Sequence, residues 1–385
     1  MATDVHRDVR VFSPVERLTA EQDAPRPGIA LCLSGGGYRA MVFHLGALIR
    51  LNELGYLPRL ARVSSVSGGS ITAGVLALHW KNLNFNDQGI GLDFQSEVIA
   101  PIRKLASKTI DATAILEGLL LPGSVADKIR TAYEHYLFGH ATLQDITDSP
   151  RFVFNATNVQ SLALWRFSKP YMRDYRVGEV RSPTVELAAA VAASSAFPPV
   201  LSPAKLNLEA TAYTPKSGMD LQTEPYTTEV ILTDGGVYDN LGLETAWKRY
   251  DTILVSDGGG AYAAEPEPKH DWARHAYRVL NLIDNQVRSL RKRQVIASFR
   301  RADRRGAYWG IRTQIADYGL TDPLPCPPEH TLALAQIPTR LKRLETEQQE
   351  RLINWGYGVC DAAMRRHVQE TAIKPTGFPY AAVGV

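Results

Sequence analysis

The chain has 385 residues, of which 45% are hydrophobic and 22% charged, and its formal net charge is +3. That length holds one large domain or two ordinary ones, and the composition is that of a globular protein with a sizeable core. So small a charge excess gives no ground for expecting a nucleic-acid partner. Three cysteines, at 32, 326 and 360, show neither disulfide nor metal spacing, which suits a reducing compartment. Residues 1–27 lack the apolar core of a signal peptide, and no stretch is long and uncharged enough to span a bilayer. The expectation is a cytoplasmic protein that meets membranes only at their surface.

Residues 1–27 are polar and rich in proline and charge, and read as a flexible arm. Ile29-Ala30-Leu31-Cys32-Leu33 is a short uninterrupted apolar run, the pattern of a strand buried on both faces. After Ser34 and three glycines, Met41, Leu45, Leu48, Leu51 and Leu54 recur at helical spacing, and Gly55 marks the stop. Arg62–Val66 reads as a second strand, and Ser67-Gly68-Gly69 turns into a helix reaching about His79. Strand–turn–helix twice over is the mark of a parallel α/β sheet. Residues 82–95 read as loop, and 96–138 as mostly helical with a break at Leu121-Pro122-Gly123. Strands are expected at Arg151–Asn155 and Ala163–Phe167, and an alanine-rich helix at Val185–Ala196, stopped by Pro198-Pro199. Residues 209–228 read as a long surface loop. Glu229–Thr233 and Thr252–Ser256 read as strands, with a helix from about Leu241 between them. Beyond Gly260 two long helices are expected, 271–304 and 341–370.

Three segments carry chemistry. Ser65-Val66-Ser67-Gly68-Gly69 resembles the nucleophile elbow G-x-S-x-G, where a strand passes so sharply into a helix that the flanking residues must be small. Ser65 stands where that elbow has its first glycine. Ser64, Ser65 and Ser70 are rival nucleophiles, but none has glycine two residues on between a strand and a helix. Ser34-Gly35-Gly36-Gly37-Tyr38-Arg39 presents backbone N–H groups at the positive end of a helix, and so can hold an anion. Gly35-x-Gly37-x-x-Ala40 also fits a dinucleotide fingerprint, but the next strand ends in serines, not in the acid that would bind a ribose. An oxyanion of acyl transfer suits the neighbouring serine turn better. Asp234-Gly235-Gly236 follows the apolar strand Val230-Ile231-Leu232, and Asp257-Gly258-Gly259 repeats the same local form, so the tripeptide alone does not decide between them.

Taken together and in order, the G-G-G-x-R loop at 35–39, the serine elbow at 67 and the D-G-G block at 234 resemble the patatin-like phospholipases, and the first block is similar to the version in cytosolic phospholipase A2 relatives. Ala193-Ser194-Ser195-Ala196-Phe197-Pro198-Pro199 is similar to a further block of that family. The resemblance spans roughly residues 28–80, 150–200 and 228–258. It implies a serine–aspartate dyad without histidine: Ser67 as nucleophile, Asp234 as base in preference to Asp257, and the N–H groups of Gly35, Gly36 and Gly37 as oxyanion hole. Arg39 matches the family's basic position and either orients the glycine loop or meets a substrate phosphate.

The fold expected is three-layer α/β/α around a central, mainly parallel sheet, with a catalytic core at 28–260, a helical insertion at about 82–145, and a mainly helical extension at 261–385. The activity implied is hydrolysis of fatty-acyl esters of lipids, with acyl transfer to an alcohol, or lipid binding without catalysis, as rivals. No cofactor or metal is expected. His44 reads as polar support, and no motif surrounds His270, His275, His330 or His367. Arg288, Arg291, Lys292, Arg293, Arg300, Arg301, Arg304 and Arg305 crowd one stretch behind an apolar stripe of Val279, Leu280, Ile283, Val287 and Leu290. Such a basic helix at 288–305 either lies on an anionic lipid surface or is solvated while its stripe packs on the core.

Overall fold

A computed structural model describes residues 25–110, 125–260 and 264–385. The arm up to residue 24 and the break at 121–123 lie outside the described residues. Buried strands form the centre: β1 (Arg26–Leu33), β2 (Leu60–Ser65), β3 (Arg151–Asn158) and β9 (Tyr250–Asp257). With β10 (Arg305–Gly310) they make one parallel run in the order β10-β9-β1-β2-β3. Beyond β3 the sheet continues antiparallel through β4 (Ala163–Ser168), β5 (Tyr171–Asp174) and β6 (Gly178–Arg181). A branch leaves β3 as β8 (Glu229–Asp234), which in turn pairs with β7 (Ala204–Asn207).

Helices cover both faces of the sheet, giving three layers. On one face lie α1 (Gly37–Glu53), α2 (Gly68–His79), α3 (Ala100–Ala106), α4 (Val125–Tyr133) and α5 (Leu187–Ser194). The turn α6 (Gly236–Asp239), then α7 (Glu244–Trp247) and α8 (Trp272–Arg300) belong to the other. α9 (Pro328–Ala335) and α10 (Thr346–His367) close the chain. α10 packs along α1, and reciprocal glycines make this possible. A Cβ at Gly46 would collide with the carbonyl of Ile353, and one at Gly356 with that of Phe43. Two helices whose backbones approach this closely exclude any side chain at the crossing. α1 is thereby buried along almost its whole length, which fixes the glycine loop at its N-terminus.

Four strands, β5, β6, β7 and β10, do not emerge from the sequence pattern. β5 to β7 are four residues each, too short to show an alternation, and β10 follows a run of arginines. The helix expected over 271–304 stops at Arg300, and Arg305 opens β10.

Candidate active site

Three loops leave the carboxyl ends of β1, β2 and β8 and converge. This is the edge at which open α/β sheets place their sites. Ser67 holds φ 53° and ψ −121°, a conformation rare for a residue with a side chain. Two glycines make the elbow possible. A Cβ at Gly69 would lie 2.5 Å from the Leu33 carbonyl, and one at Gly68 would collide with that of Gly37. Ser65, in place of the elbow's first glycine, is accommodated. It is fully buried, and its hydroxyl donates to the Val153 carbonyl at 3.4 Å and accepts from Ser70 at 3.0 Å. Ser64 is likewise engaged, donating to the Gly242 carbonyl at 2.6 Å. Ser64, Ser65 and Ser70 are all fully buried, whereas Ser67 retains 9% exposure.

Asp234 ends β8. The antiparallel register of Asp234 with Ala156 sets it just beyond the Ser65–Phe154 pair, on the Ser67 side of β3. Its backbone is pinned by the block ahead of it: Asp234 N–H donates to the Ala196 carbonyl at 2.9 Å, and Gly235 N–H to that of Ser194 at 3.3 Å. Its Oδ1 accepts the Gly236 N–H at 2.6 Å. Oδ2 is buried and has no hydrogen-bond partner among the described residues. Burial pushes the carboxyl up to about 7, against the pull of the Gly236 N–H and of the neighbouring Ser67 hydroxyl; nearby Asp284 adds to the rise.

Asp257 has the same turn and a different environment. Its Oδ1 accepts the Gly259 N–H at 2.9 Å, while Lys292 sits 2.6 Å and the Tyr308 hydroxyl 2.8 Å from Oδ2. Burial alone would raise this carboxyl, but Lys292 and Arg288 outweigh it and hold it well below the usual range.

The glycine loop lies against Ser67: a Cβ at Gly35 would stand 3.2 Å from that of Ser67. The three glycines are not equivalent. Gly35 N–H is already spent on the Asn240 carbonyl, at 3.0 Å. The N–H groups of Gly36, Gly37 and Gly68 make no hydrogen bond among the described residues. Arg39 is buried and donates to the carbonyls of Gly258 and Ile337 and to the Thr339 hydroxyl. Its fork ties the loop to two distant segments, which leaves little of it for a substrate phosphate. His44 bonds Ser256 at 2.8 Å and the Ser34 carbonyl at 2.9 Å, and burial pushes it down to about 4. No histidine among the described residues bonds Ser67 or Asp234.

Ser194 has a role that spacing does not reveal. Its hydroxyl accepts the Ser67 N–H at 3.1 Å, donates to the Asn155 carbonyl at 2.7 Å and meets Ser70 at 2.8 Å. It thereby joins the elbow, β3 and the Asp234 support. The only signal for it was the serine pair inside the 193–199 block. Asp239 caps α7 through the N–H groups of Leu241 and Glu244, at 3.2 and 2.6 Å. Its neighbour Asn240 contributes its carbonyl to the Gly35 N–H.

The basic stretch is turned the other way from expectation. Arg291 pairs with Glu244 at 2.9 Å, Lys292 with Asp257, and Arg288 reaches the Gly260 carbonyl at 2.5 Å. The apolar stripe expected to pack on the core faces outward, with Ile283 52% and Leu290 58% exposed, along with Leu282 at 62% and Trp272 at 85%. The physical reason is that the buried Asp257 and half-buried Glu244 carboxylates need cations, so the polar side of α8 is the side that packs.

A family model described as patatin-like phospholipase matches residues 31–247. No curated protein matches the chain by sequence. Among solved structures, human GIVD cytosolic phospholipase A2 in complex with methyl gamma-linolenyl fluorophosphonate is similar at a TM-score of 0.48 and 13% identity, over 90% of this chain and 60% of that one. Another structure of the human enzyme gives 0.40 and 14%, over 63% and 49%. VipD from Legionella pneumophila gives 0.36 and 16%, over 89% and 67%. The chain thus spans about half to two thirds of the length of these proteins.

Proposed function

We propose a function on one premise: the chain belongs to the patatin-like phospholipase family. A lipid acyl hydrolase is what that membership supports, and the reading proposed for this chain is a carboxylic ester hydrolase working through Ser67 and Asp234. The observation that carries it is the pairing of a strained, slightly exposed serine with a buried carboxylate that no cation neutralises.

Asp234 takes the proton of the Ser67 hydroxyl as the oxygen attacks an ester carbonyl. A free aspartate, near ~3.9, is a poor base at neutral pH; one raised to about 7 is matched to the task. The N–H groups of Gly36 and Gly37 are assigned to the developing oxyanion, with Gly68 N–H as a third candidate donor. Gly35 drops from that role because its N–H is taken. Asp234 returns the proton to the leaving alcohol, and the same carboxylate activates water to release the acid. Arg39 is assigned to holding the loop in place.

Lipid contact is proposed for the outer, apolar side of α8, not for its basic residues. The helix packs against α6, the turn that follows Asp234, so a lipid surface on that side lies beside the site. Among the described residues no helix is long and apolar enough to cross a membrane. A fluorophosphonate should add once, at Ser67, by intact-mass and peptide analysis. Addition at another residue, or none with full hydrolysis of a short-chain ester, would end this reading. Leu282→Glu with Ile283→Glu should cut vesicle binding by about tenfold or more, since each apolar side chain contributes about 2 kcal/mol when buried, while short-chain ester turnover stays unchanged.

A further inference from the structure

The face of β2 to β5 on the α7 side carries guanidinium groups with almost no counter-charge. The register pairs Arg62 with Arg151, Asn155 with Arg166, and Arg166 with Arg173. Register partners share a face and residues alternate along a strand, so Arg62, Arg151, Arg166, Arg173 and Tyr171 all point to one side. Trp165, Phe167 and Met172, on the opposite side, are buried in the main core. Arg249, just before β9, adds its charge to the same region.

The partners of these arginines are few. Arg62 donates to the Thr245 carbonyl at 3.0 Å and stacks over Tyr250. Arg173 pairs with Glu179 at 3.2 Å, and Arg181 shares that same carboxylate. Arg151 and Arg166 make no hydrogen bond or ion pair among the described residues. The Nε atoms of Arg62, Arg151, Arg166 and Arg173 are buried and unpartnered. Asp174 is the other acid close to Arg166, but its carboxylate is occupied by Asn158, Ser161 and the Arg176 N–H. Burial raises the Tyr171 hydroxyl, yet Arg62, Arg166, Arg249 and Arg151 together bring it below its usual range. Arg62 is buried and Arg151, Arg166 and Arg173 are half-buried; cations drawn partly out of water without a counter-ion are costly, and unsatisfied donors add to the cost. A bound anion would offset both costs.

We propose that this arginine-lined face, with Arg62 and Arg166 as floor and Arg151, Arg173 and Arg249 at the rim, is a binding site for a compact anion bearing two or more phosphoryl groups. Planar forks suit phosphoryl oxygens bidentately, and several of them converge where one carboxylate is present. Arg62 sits towards the start of β2, whereas Ser67 follows its end, so the site is separate from the dyad and independent of the dyad's role. The anion is either a free polyphosphate or the headgroup of a polyphosphorylated lipid.

Thermal shift and calorimetry on the full chain test this with pyrophosphate and inositol hexakisphosphate, and co-sedimentation tests it with phosphatidylcholine vesicles with and without phosphatidylinositol 4,5-bisphosphate. Either soluble anion should raise Tm and bind with a Kd that weakens at least tenfold in Arg151→Gln and in Arg166→Gln. Without ligand, Arg166→Gln should raise Tm, because it removes an uncompensated charge; a merely structural arginine would give a fall. Sedimentation only with the phosphoinositide assigns the site to a lipid headgroup, and binding of the soluble anions alone assigns it to a free one. No shift with any of these anions, an equal shift in both variants, or preference for a single-stranded oligonucleotide of matched charge would overturn the proposal.

Discussion

Asp234 and Asp257 each close a strand, each is followed by two glycines, and each folds Oδ1 back onto the second glycine's N–H, at 2.6 and 2.9 Å. Both are almost fully buried. Beyond that tripeptide they part. Asp257 is clasped by Lys292, Arg288 and the Tyr308 hydroxyl, which hold its proton off at any ordinary pH. Asp234 has a backbone N–H and the Ser67 hydroxyl but no cation, and burial raises it to about 7. The local motif sets the turn. The tertiary neighbours, α8 above all, decide whether the carboxylate is a fixed structural charge or one that exchanges a proton at neutral pH.

Substitution separates the two most sharply. Ser67→Ala should cost on the order of 10⁴-fold or more in kcat on a short-chain ester, and Asp234→Asn about 10³–10⁴-fold, with the fold intact by circular dichroism. Asp257→Asn should retain activity within about tenfold in the fraction that folds. It should instead lose stability, by about 3 kcal/mol in urea titration, because Arg288 and Lys292 are left facing a neutral group. Equal activity losses in the two Asn variants would erase the contrast.

The pH dependence of stability should run in opposite senses at the two sites. Asp234 keeps its proton in the fold up to about 7, while in the unfolded chain it ionises near ~3.9. Its contribution is therefore present at low pH and lost as pH rises through that window, leaving a buried charge above it. Asp234→Asn should accordingly be more stable than the wild type at pH 8, by on the order of 1–3 kcal/mol, and no more stable at pH 4. Asp257 is depressed in the fold, so its contribution holds above the unfolded value and fades as pH falls below it. Urea midpoints from pH 4 to 8 check the first sign, and midpoints taken from pH 4 downward check the second.

Smaller effects sharpen the surroundings of Asp234. Gly36 has φ 143°, and a Cβ there would stand 2.9 Å from that of Ala40 and 3.0 Å from the Gly258 carbonyl. Gly36→Ala should move the loop and lower kcat about 10²-fold, in the range of one lost oxyanion donor. Ser194→Ala should lower kcat about tenfold, the equivalent of one hydrogen bond steering the Ser67 backbone. Steady-state kinetics with a soluble ester reads both.

The strands β1 and β9 were legible because each is an apolar run ending at serine, β2 because it leads straight into the serine turn, and the elbow because Gly68 and Gly69 have no substitute at so close a strand–helix crossing. The capture of Gly35 N–H by Asn240 was not, since it depends on a carbonyl brought from the far side of the sheet. Neither was the orientation of α8. Its amphipathic period is plain in the sequence, but which side faces in depends on buried Asp257 and half-buried Glu244 waiting there as acids. The arginines of β2 to β5 lie scattered singly along the chain, and only strand register gathers them onto one face.

The most direct test of the Ser67–Asp234 pair is the rate at which a fluorophosphonate labels Ser67 as a function of pH. In the wild type and in Asp257→Asn that rate should rise through a midpoint near 7, and in Asp234→Asn it should be slow and flat. A midpoint that survives in Asp234→Asn, or label found on a residue other than Ser67, would contradict the pairing.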